Sequence, residues 1–195
     1  MTDWKLLTEA HTALLDTVTG LGANDWAKPT PCADWNVAQV LQHAVGDQLG
    51  FYAAITGGQG PTFNPFAPDG ELAEDPVALT ASALALSAES WAGIAKDAAE
   101  VAVPVPPNVL DAHTAVGACA LDSAVHAWDI AVATGRPQPL SPWAASEILV
   151  AAKQIVEPLR AWGAYAPALE AREGDDEIAT LLRYLGRDPR WAAAA

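Results

Sequence analysis

Residues 121–129 read LDSAVHAWD, and this stretch places a carboxylate, Asp122, four positions before an imidazole, His126. On an α-helix, residues i and i+4 lie one above the other on the same face, so the two side chains point to one place. Two interpretations are open. The pair is either an ordinary helix-edge Asp–His contact, worth a few tenths of a kcal/mol, or part of a site that binds a divalent metal or transfers protons.

The residues around this pair predict a helix over 112–134, because Gly135 and Pro137 are typical of a helix end. On a helical wheel with ~100° per residue, Asp122, His126 and Asp129 form one row on the flank of the apolar face. Asp129 lies one turn beyond His126, where a carboxylate can orient a metal-binding imidazole. We therefore predict Asp129 as a group that supports the site from outside the ligand set.

The rest of the chain favours an all-α fold, because alanine is abundant and strand-forming runs are scarce. Asn36 followed by Gln39 is a capping-box pattern, which predicts a helix start at residue 37. Apolar spacing and breaker residues predict the other helices. The predicted helices cover residues 3–19, 37–55, 76–99, 112–134, 141–160 and 176–185.

Two segments between these helices are predicted not to be helical. Residues 57–76 are rich in Gly, Pro and Asp and predict a long loop that forms a lid or pocket rim. Residues 101–107 alternate Val and Pro and predict an extended crossover or edge strand. Four long helices with one lengthy crossover are typical of a four-helix bundle with short additional helices.

Length and charge limit the functions that the chain can have. At 195 residues we expect a single domain spanning 1–195, with the terminal alanines 192–195 frayed. A net charge of −14 argues against binding to nucleic acid or to an anionic membrane surface. We expect a cytoplasmic protein, because no uninterrupted apolar run is long enough to cross a bilayer and the first residues do not resemble a signal peptide. The two cysteines are too few for a disulfide framework.

A third metal-ligand candidate lies on the second predicted helix. His43 alone is more typical of a surface or hydrogen-bonded histidine than of a ligand. Together with Asp122 and His126, it completes a set of two histidines and one carboxylate supplied by two helices. Such a set leaves coordination positions open, as a catalytic metal requires. His11 and His113 have no comparable partner in the sequence.

Three stretches resemble one known family. Residues 30–37, TPCADWNV, leading into His43, resemble the entry to the second helix of the mycothiol-dependent maleylpyruvate isomerase family, which belongs to the DinB-like metal-binding superfamily. Residues 122–131, DSAVHAWDIA, followed by TGRP at 134–137, resemble its second motif. Residues 181–191, LLRYLGRDPRW, resemble the ending of a short-chain branch. The three matches occur in the expected order across nearly the whole chain.

The resemblance implies a DinB-like four-helix bundle with a divalent metal held by His43, Asp122 and His126. We expect zinc, with Ni²⁺ and Fe²⁺ as alternatives. Many relatives have Glu at the carboxylate position, so the shorter Asp122 changes the geometry. The resemblance also implies mycothiol as cosubstrate. Members with isomerase activity carry a further C-terminal domain that contributes to the active site; this chain is too short to contain it, so we do not expect maleylpyruvate as substrate.

Three functional hypotheses follow. The first is a metal- and mycothiol-dependent transferase or isomerase acting on a small electrophile, as a monomer or homodimer. The second is a metal-binding bundle without catalysis, and the third a metal-assisted hydrolase. We predict that Arg183 and Arg187 bind an anionic group of the thiol or substrate, unless they pair with nearby acids. Trp35 and Trp128, which flank the motifs, are predicted to wall the pocket.

Overall fold

The computed structural model describes residues 2–72 and 75–193. Within these residues, six helices and two short strands follow one another: α1 (Lys5–Thr19), α2 (Val37–Thr56), α3 (Pro76–Ala92), β1 (Val101–Ala102), β2 (Val109–Leu110), α4 (Ala112–Thr134), α5 (Pro142–Ala161) and α6 (Glu177–Tyr184). Of the four terminal alanines predicted to fray, 194–195 lie outside the described residues. Residues 192–193 are exposed and non-helical.

The first four helices form the bundle. α4 packs against α1 and α2, and α3 packs against the same two helices from the other side. α5 lies against α4, and α6 lies against α5. The predicted all-α four-helix bundle with additional helices is therefore confirmed.

The start of α2 is fixed by its own sequence. The Asn36 side chain accepts a hydrogen bond from the Gln39 backbone N–H (2.9 Å), and the Gln39 side chain accepts one from the Asn36 N–H (3.0 Å). This is the predicted capping box, which satisfies two N–H groups that a helix start otherwise leaves unpaired. It sets the register of α2, so that His43 faces α4.

The long α2–α3 loop folds back along α2. Gln39 Nε2 donates to the Pro68 carbonyl (2.9 Å) and Gln42 Nε2 to the Asp69 carboxylate (2.9 Å). A side chain at Gly46 would collide with Pro65, whose Cβ lies 2.7 Å from the ideal Cβ position. The absence of a side chain there lets the loop lie against the face of α2 that carries His43.

α4 is the central helix of the structure. Its length and apolar composition would allow it to cross a membrane, but 94% of the apolar window is buried inside the protein. The close approach to α5 at Gly117, where a Cβ would lie 2.4 Å from the Ala151 Cβ, covers the face turned away from the bundle. The row predicted on the flank of an apolar face is consequently inside the protein, with Asp122 9% and Asp129 0% exposed.

Two predicted boundaries differ from the structure. The prediction that α3 extends to residue 99 is wrong: it ends at Ala92, because Gly93, a poor helix former, is followed by tight turns. The extended segment is shorter than predicted. Only Val101–Ala102 forms a strand, paired antiparallel with Val109–Leu110.

A buried polar layer joins all four bundle helices. The Gln48 side-chain oxygen on α2 accepts hydrogen bonds from His11 Nε2 of α1 (2.9 Å), Ser87 Oγ of α3 (2.9 Å) and Cys119 Sγ of α4 (3.2 Å). Burial lowers the pKa of His11 to about 4, although the bond to Gln48 opposes the shift, so this ring is neutral at pH 7. Because buried polar groups are costly unless paired, the layer favours the one helix register in which all four meet.

We predict that Gln48→Leu lowers the free energy of unfolding by about 3 kcal/mol, since three buried donors lose their common acceptor. Urea unfolding followed by circular dichroism measures this, with Gln59→Leu in the exposed part of the α2–α3 loop as the matched control. A loss below about 1 kcal/mol, the usual net worth of a single hydrogen bond, would show that the layer does not hold the register.

Candidate metal centre

Three side chains from α2 and α4 converge at one point. His43 Nε2 lies 3.2 Å from Asp122 Oδ2, and His126 Nε2 lies 3.5 Å from the same oxygen. The ligand-type atoms of the three residues all lie within 4.8 Å of one another. We call His43, Asp122 and His126 the primary set. All three are at least nine-tenths buried.

The other ring nitrogen of each histidine is already bonded. His43 Nδ1 lies 2.7 Å from the Pro65 carbonyl oxygen, which can only accept, so Nδ1 carries the proton. His126 Nδ1 lies 2.9 Å from Asp129 Oδ2. In a neutral ring, this leaves the lone pair on Nε2. Both lone pairs therefore point at the Asp122 carboxylate.

Three acceptors that face one another repel unless a proton or a cation lies among them. The other oxygen of the carboxylate, Asp122 Oδ1, is buried and has no hydrogen-bond partner among the described residues. Two imidazole nitrogens and a carboxylate oxygen are ligands that suit zinc and similar divalent metals. The residues of the primary set therefore fit a divalent cation.

The electrostatics also favour positive charge at this point. Burial alone would disfavour a charged His43 ring, but the charge and hydrogen bond of Asp122, helped by Asp47 and the Pro65 carbonyl, raise the pKa of His43 to about 9. Burial and the charge of Asp122 raise the pKa of Asp47 well above its usual range. Without a metal, a proton on His43 supplies the positive charge.

Asp129 supports His126 from behind. Its Oδ2 faces His126 Nδ1, and its two oxygens accept hydrogen bonds from Arg187 Nε (2.9 Å) and Nη2 (2.8 Å). Burial opposes ionisation, yet Arg187 and His126 hold the pKa of Asp129 well below its usual range. A carboxylate behind a metal-binding histidine fixes the tautomer and the ring orientation.

Two aromatic rings lie beside the His43 ring. The Trp35 ring centroid is 4.8 Å from that of His43, and the Phe66 centroid is 5.9 Å away. Phe66 belongs to the α2–α3 loop and is 59% exposed. Trp128 lies elsewhere, in the larger hydrophobic core with Ile148 and Leu181. Its predicted place in a pocket wall stays a prediction.

Sequence reasoning missed three groups near this centre. Phe66 gave no signal, because it lies in an irregular loop. Tyr165 follows α5; burial and the charge of Asp122 raise the pKa of its hydroxyl, so it is a neutral phenol. Cys32 lies in a recognised motif, but its contact with Asp129 (Sγ to Oδ2, 3.2 Å) joins residues 97 positions apart.

The two arginines predicted to contact an anion are both paired with carboxylates of the protein. Arg183 Nε donates to Asp175 (2.8 Å), and Arg187 forms the two bonds to Asp129. This is the alternative considered from the sequence, pairing with nearby acids. Binding of an anionic ligand by either residue stays a prediction.

Comparison with known proteins agrees with this geometry. Residues 7–131, which include all three members of the primary set, match the family described as mycothiol maleylpyruvate isomerase N-terminal domain. The chain belongs to this family. Uncharacterized proteins from two strains of Mycobacterium tuberculosis are each 33% identical to it over 152 residues, covering 77% of this chain and 75% of theirs. No solved structure gives a significant match.

The family is mycothiol-related and belongs to the DinB-like metal-binding proteins. A bound metal is therefore a reasonable candidate for the cation that would remove the repulsion within the primary set. The helices that carry the primary set, α2 and α4, lie within or almost within the matched residues. Arg187 and Tyr165 lie beyond them, in the part of the chain that follows α4.

We predict that protein purified without chelator binds one divalent ion per chain and that His43→Ala or Asp122→Ala abolishes this binding. The loss should exceed the roughly 10- to 100-fold effect of residues that only support a ligand. Metal analysis and zinc titration against a chelator measure it. The exposed His113→Ala is the matched control. Equal zinc affinity in His43→Ala and in the wild type would contradict the assignment.

Proposed function

We propose that this protein is a divalent-metal-dependent and mycothiol-dependent transferase or isomerase that acts on a small electrophilic substrate. Zinc is the proposed metal, held by His43, Asp122 and His126. The observation that carries the proposal is the convergence of two imidazole Nε2 atoms on a buried carboxylate, in a member of a family named for mycothiol.

The chemistry of such a centre suits a thiol. When bound, a divalent cation lowers the pKa of a coordinating thiol, so that the nucleophilic thiolate forms near neutral pH. Among the described residues the primary set would supply three ligands, and zinc commonly takes at least four, so a position would be left for the sulfur of a small thiol. Asp129 holds His126 with its Nε2 turned towards Asp122, the orientation in which this ring would bind a metal.

Two aromatic rings lie beside His43. Trp35 and the exposed Phe66 contact the His43 ring, where they can pack against a bound ligand and exclude water from the reacting atoms. Because Phe66 lies on the long loop, its position depends on the hydrogen bonds that tie that loop to α2.

The proposed partners are therefore small molecules: mycothiol and an electrophile. A chain with a net charge of −14 is a poor ligand for nucleic acid or anionic lipid. Among the described residues, a single helix is apolar enough for a membrane, and it is a buried core helix. This favours a soluble protein, and we propose the cytoplasm as its location.

We predict that mycothiol raises the melting temperature of the zinc-loaded protein. At a ligand concentration of about 100 times Kd the stabilisation is about 2.7 kcal/mol, which corresponds to roughly 5–10 °C for a chain of this size. Differential scanning fluorimetry measures the shift. It should be absent from the metal-free protein and from His43→Ala.

S-methylated mycothiol is the ligand control, because it keeps the sugar groups but cannot form a thiolate. An equal shift with the methylated compound would show that the sulfur does not reach the metal and would contradict the proposed role of the thiol. Turnover of an ester or amide substrate without any thiol would instead identify the protein as a metal-assisted hydrolase.

A further inference from the structure

A second cluster of ligand-type atoms shares one histidine with the primary set. The ligand-type atoms of Cys32, His126 and Asp129 also lie within 4.8 Å of one another. Cys32 Sγ donates to Asp129 Oδ2 (3.2 Å), and the same oxygen lies 2.9 Å from His126 Nδ1. We call Cys32, His126 and Asp129 the second set. It approaches His126 through Nδ1, whereas the primary set approaches it through Nε2.

The composition of the second set suits zinc as well as that of the primary set does. Thiolate, imidazole and carboxylate are all zinc ligands, and thiolate is the softest of them. Two overlapping sets cannot both use His126 in its present tautomer, because Nδ1 carries a proton when it faces Asp129 and must lose it to bind a metal. A divalent metal can therefore occupy only one of the two sets.

The guanidinium of Arg187 lies within the second set. It makes two hydrogen bonds to Asp129, through Nε (2.9 Å) and Nη2 (2.8 Å), and Nη2 lies 3.3 Å from Cys32 Sγ. This group is a permanent cation. A divalent ion among the same atoms would be only a few ångströms from it and would be repelled.

We propose that Arg187 acts as an internal cation that fills the second set and thereby restricts divalent metal to the primary set. Arg187 is thus a positioning residue for the metal centre. It neutralises Asp129 and leaves His126 with its Nε2 lone pair turned towards Asp122. The inference rests on the metal site proposed above and adds the residue that favours the primary set over the second set.

The backbone places Arg187 for this task. Gly186 has φ 81°, in the left-handed region that favours glycine, and a Cβ there would lie 2.9 Å from the carbonyl oxygens of Ala166 and Pro167. The turn brings the Arg187 N–H within 2.8 Å of the Leu182 carbonyl. The segment after α6 is therefore fixed against both its own helix and the α5–α6 loop, and the arginine side chain is directed to α4.

Removing the guanidinium should allow a divalent metal to bind the second set. Asp129 is 0% exposed, so a buried carboxylate would then lack its cation. A divalent ion can replace it if the Cys32 thiol and His126 Nδ1 each release a proton to solvent, as metal binding to such ligands requires. The resulting complex contains a metal–thiolate bond that the wild type lacks.

Cobalt(II) titration followed by optical absorption tests this inference, because a thiolate ligand gives an intense near-ultraviolet charge-transfer band. We expect no such band in the wild type and a strong band in Arg187→Met and Arg187→Gln. The double variant Arg187→Met/Cys32→Ser should lose the band. Arg187→Lys, which keeps the charge, should resemble the wild type.

Arg183→Met is the matched control, since it removes another buried arginine paired with a carboxylate but leaves Arg187 in place. Circular dichroism identifies which variants are folded. A thiolate band in the wild type, or a folded Arg187→Gln or Arg187→Met without one, would overturn the inference. If Arg187→Met and Arg187→Gln both fail to fold, a thiolate band in Arg187→Lys still overturns the inference, because lysine keeps a cation at position 187. Failure of the wild type to bind any cobalt would instead contradict the proposed function. A thiolate band in Arg187→Met or Arg187→Gln would then still support the exclusion of metal by Arg187.

Discussion

Two imidazole Nε2 atoms and one carboxylate oxygen meet inside a helical bundle, and this arrangement requires a proton or a cation among them. The proton of each ring is held on the far nitrogen, by the Pro65 carbonyl for His43 and by Asp129 for His126. Turning either ring over would break the hydrogen bond of its far nitrogen and leave a buried group unpaired. The raised pKa of His43 has the same cause, because the Asp122 carboxylate favours a positively charged ring.

The surrounding structure holds this arrangement in place. The Asn36 capping box and the Gln48 layer fix how α2 lies against α4, and the long loop supplies the carbonyl that orients His43. On the opposite side, the segment after α6 brings Arg187 to Asp129. The bundle thus provides His43, Asp122 and His126, while irregular segments on both sides determine which nitrogen of each ring faces Asp122.

Much of the fold could be predicted from the sequence, because local signals decide it. The bounds of α4 follow from its apolar pattern and from Gly135, and the start of α2 follows from Asn36 and Gln39. What the sequence could not give is the long-range pairing. Arg187 and Asp129 are 58 residues apart and Cys32 and Arg187 are 155 apart, and no local pattern connects such residues. The full burial of α4 was also missed, because it depends on the packing of α5.

X-ray absorption at the zinc edge, on protein loaded with one equivalent of zinc, tests the central claim most directly. The account predicts only nitrogen and oxygen scatterers in the first shell, at about 2.0–2.2 Å, with outer-shell features of two imidazole rings. A sulfur scatterer at about 2.3 Å would place the metal at Cys32 and contradict the account.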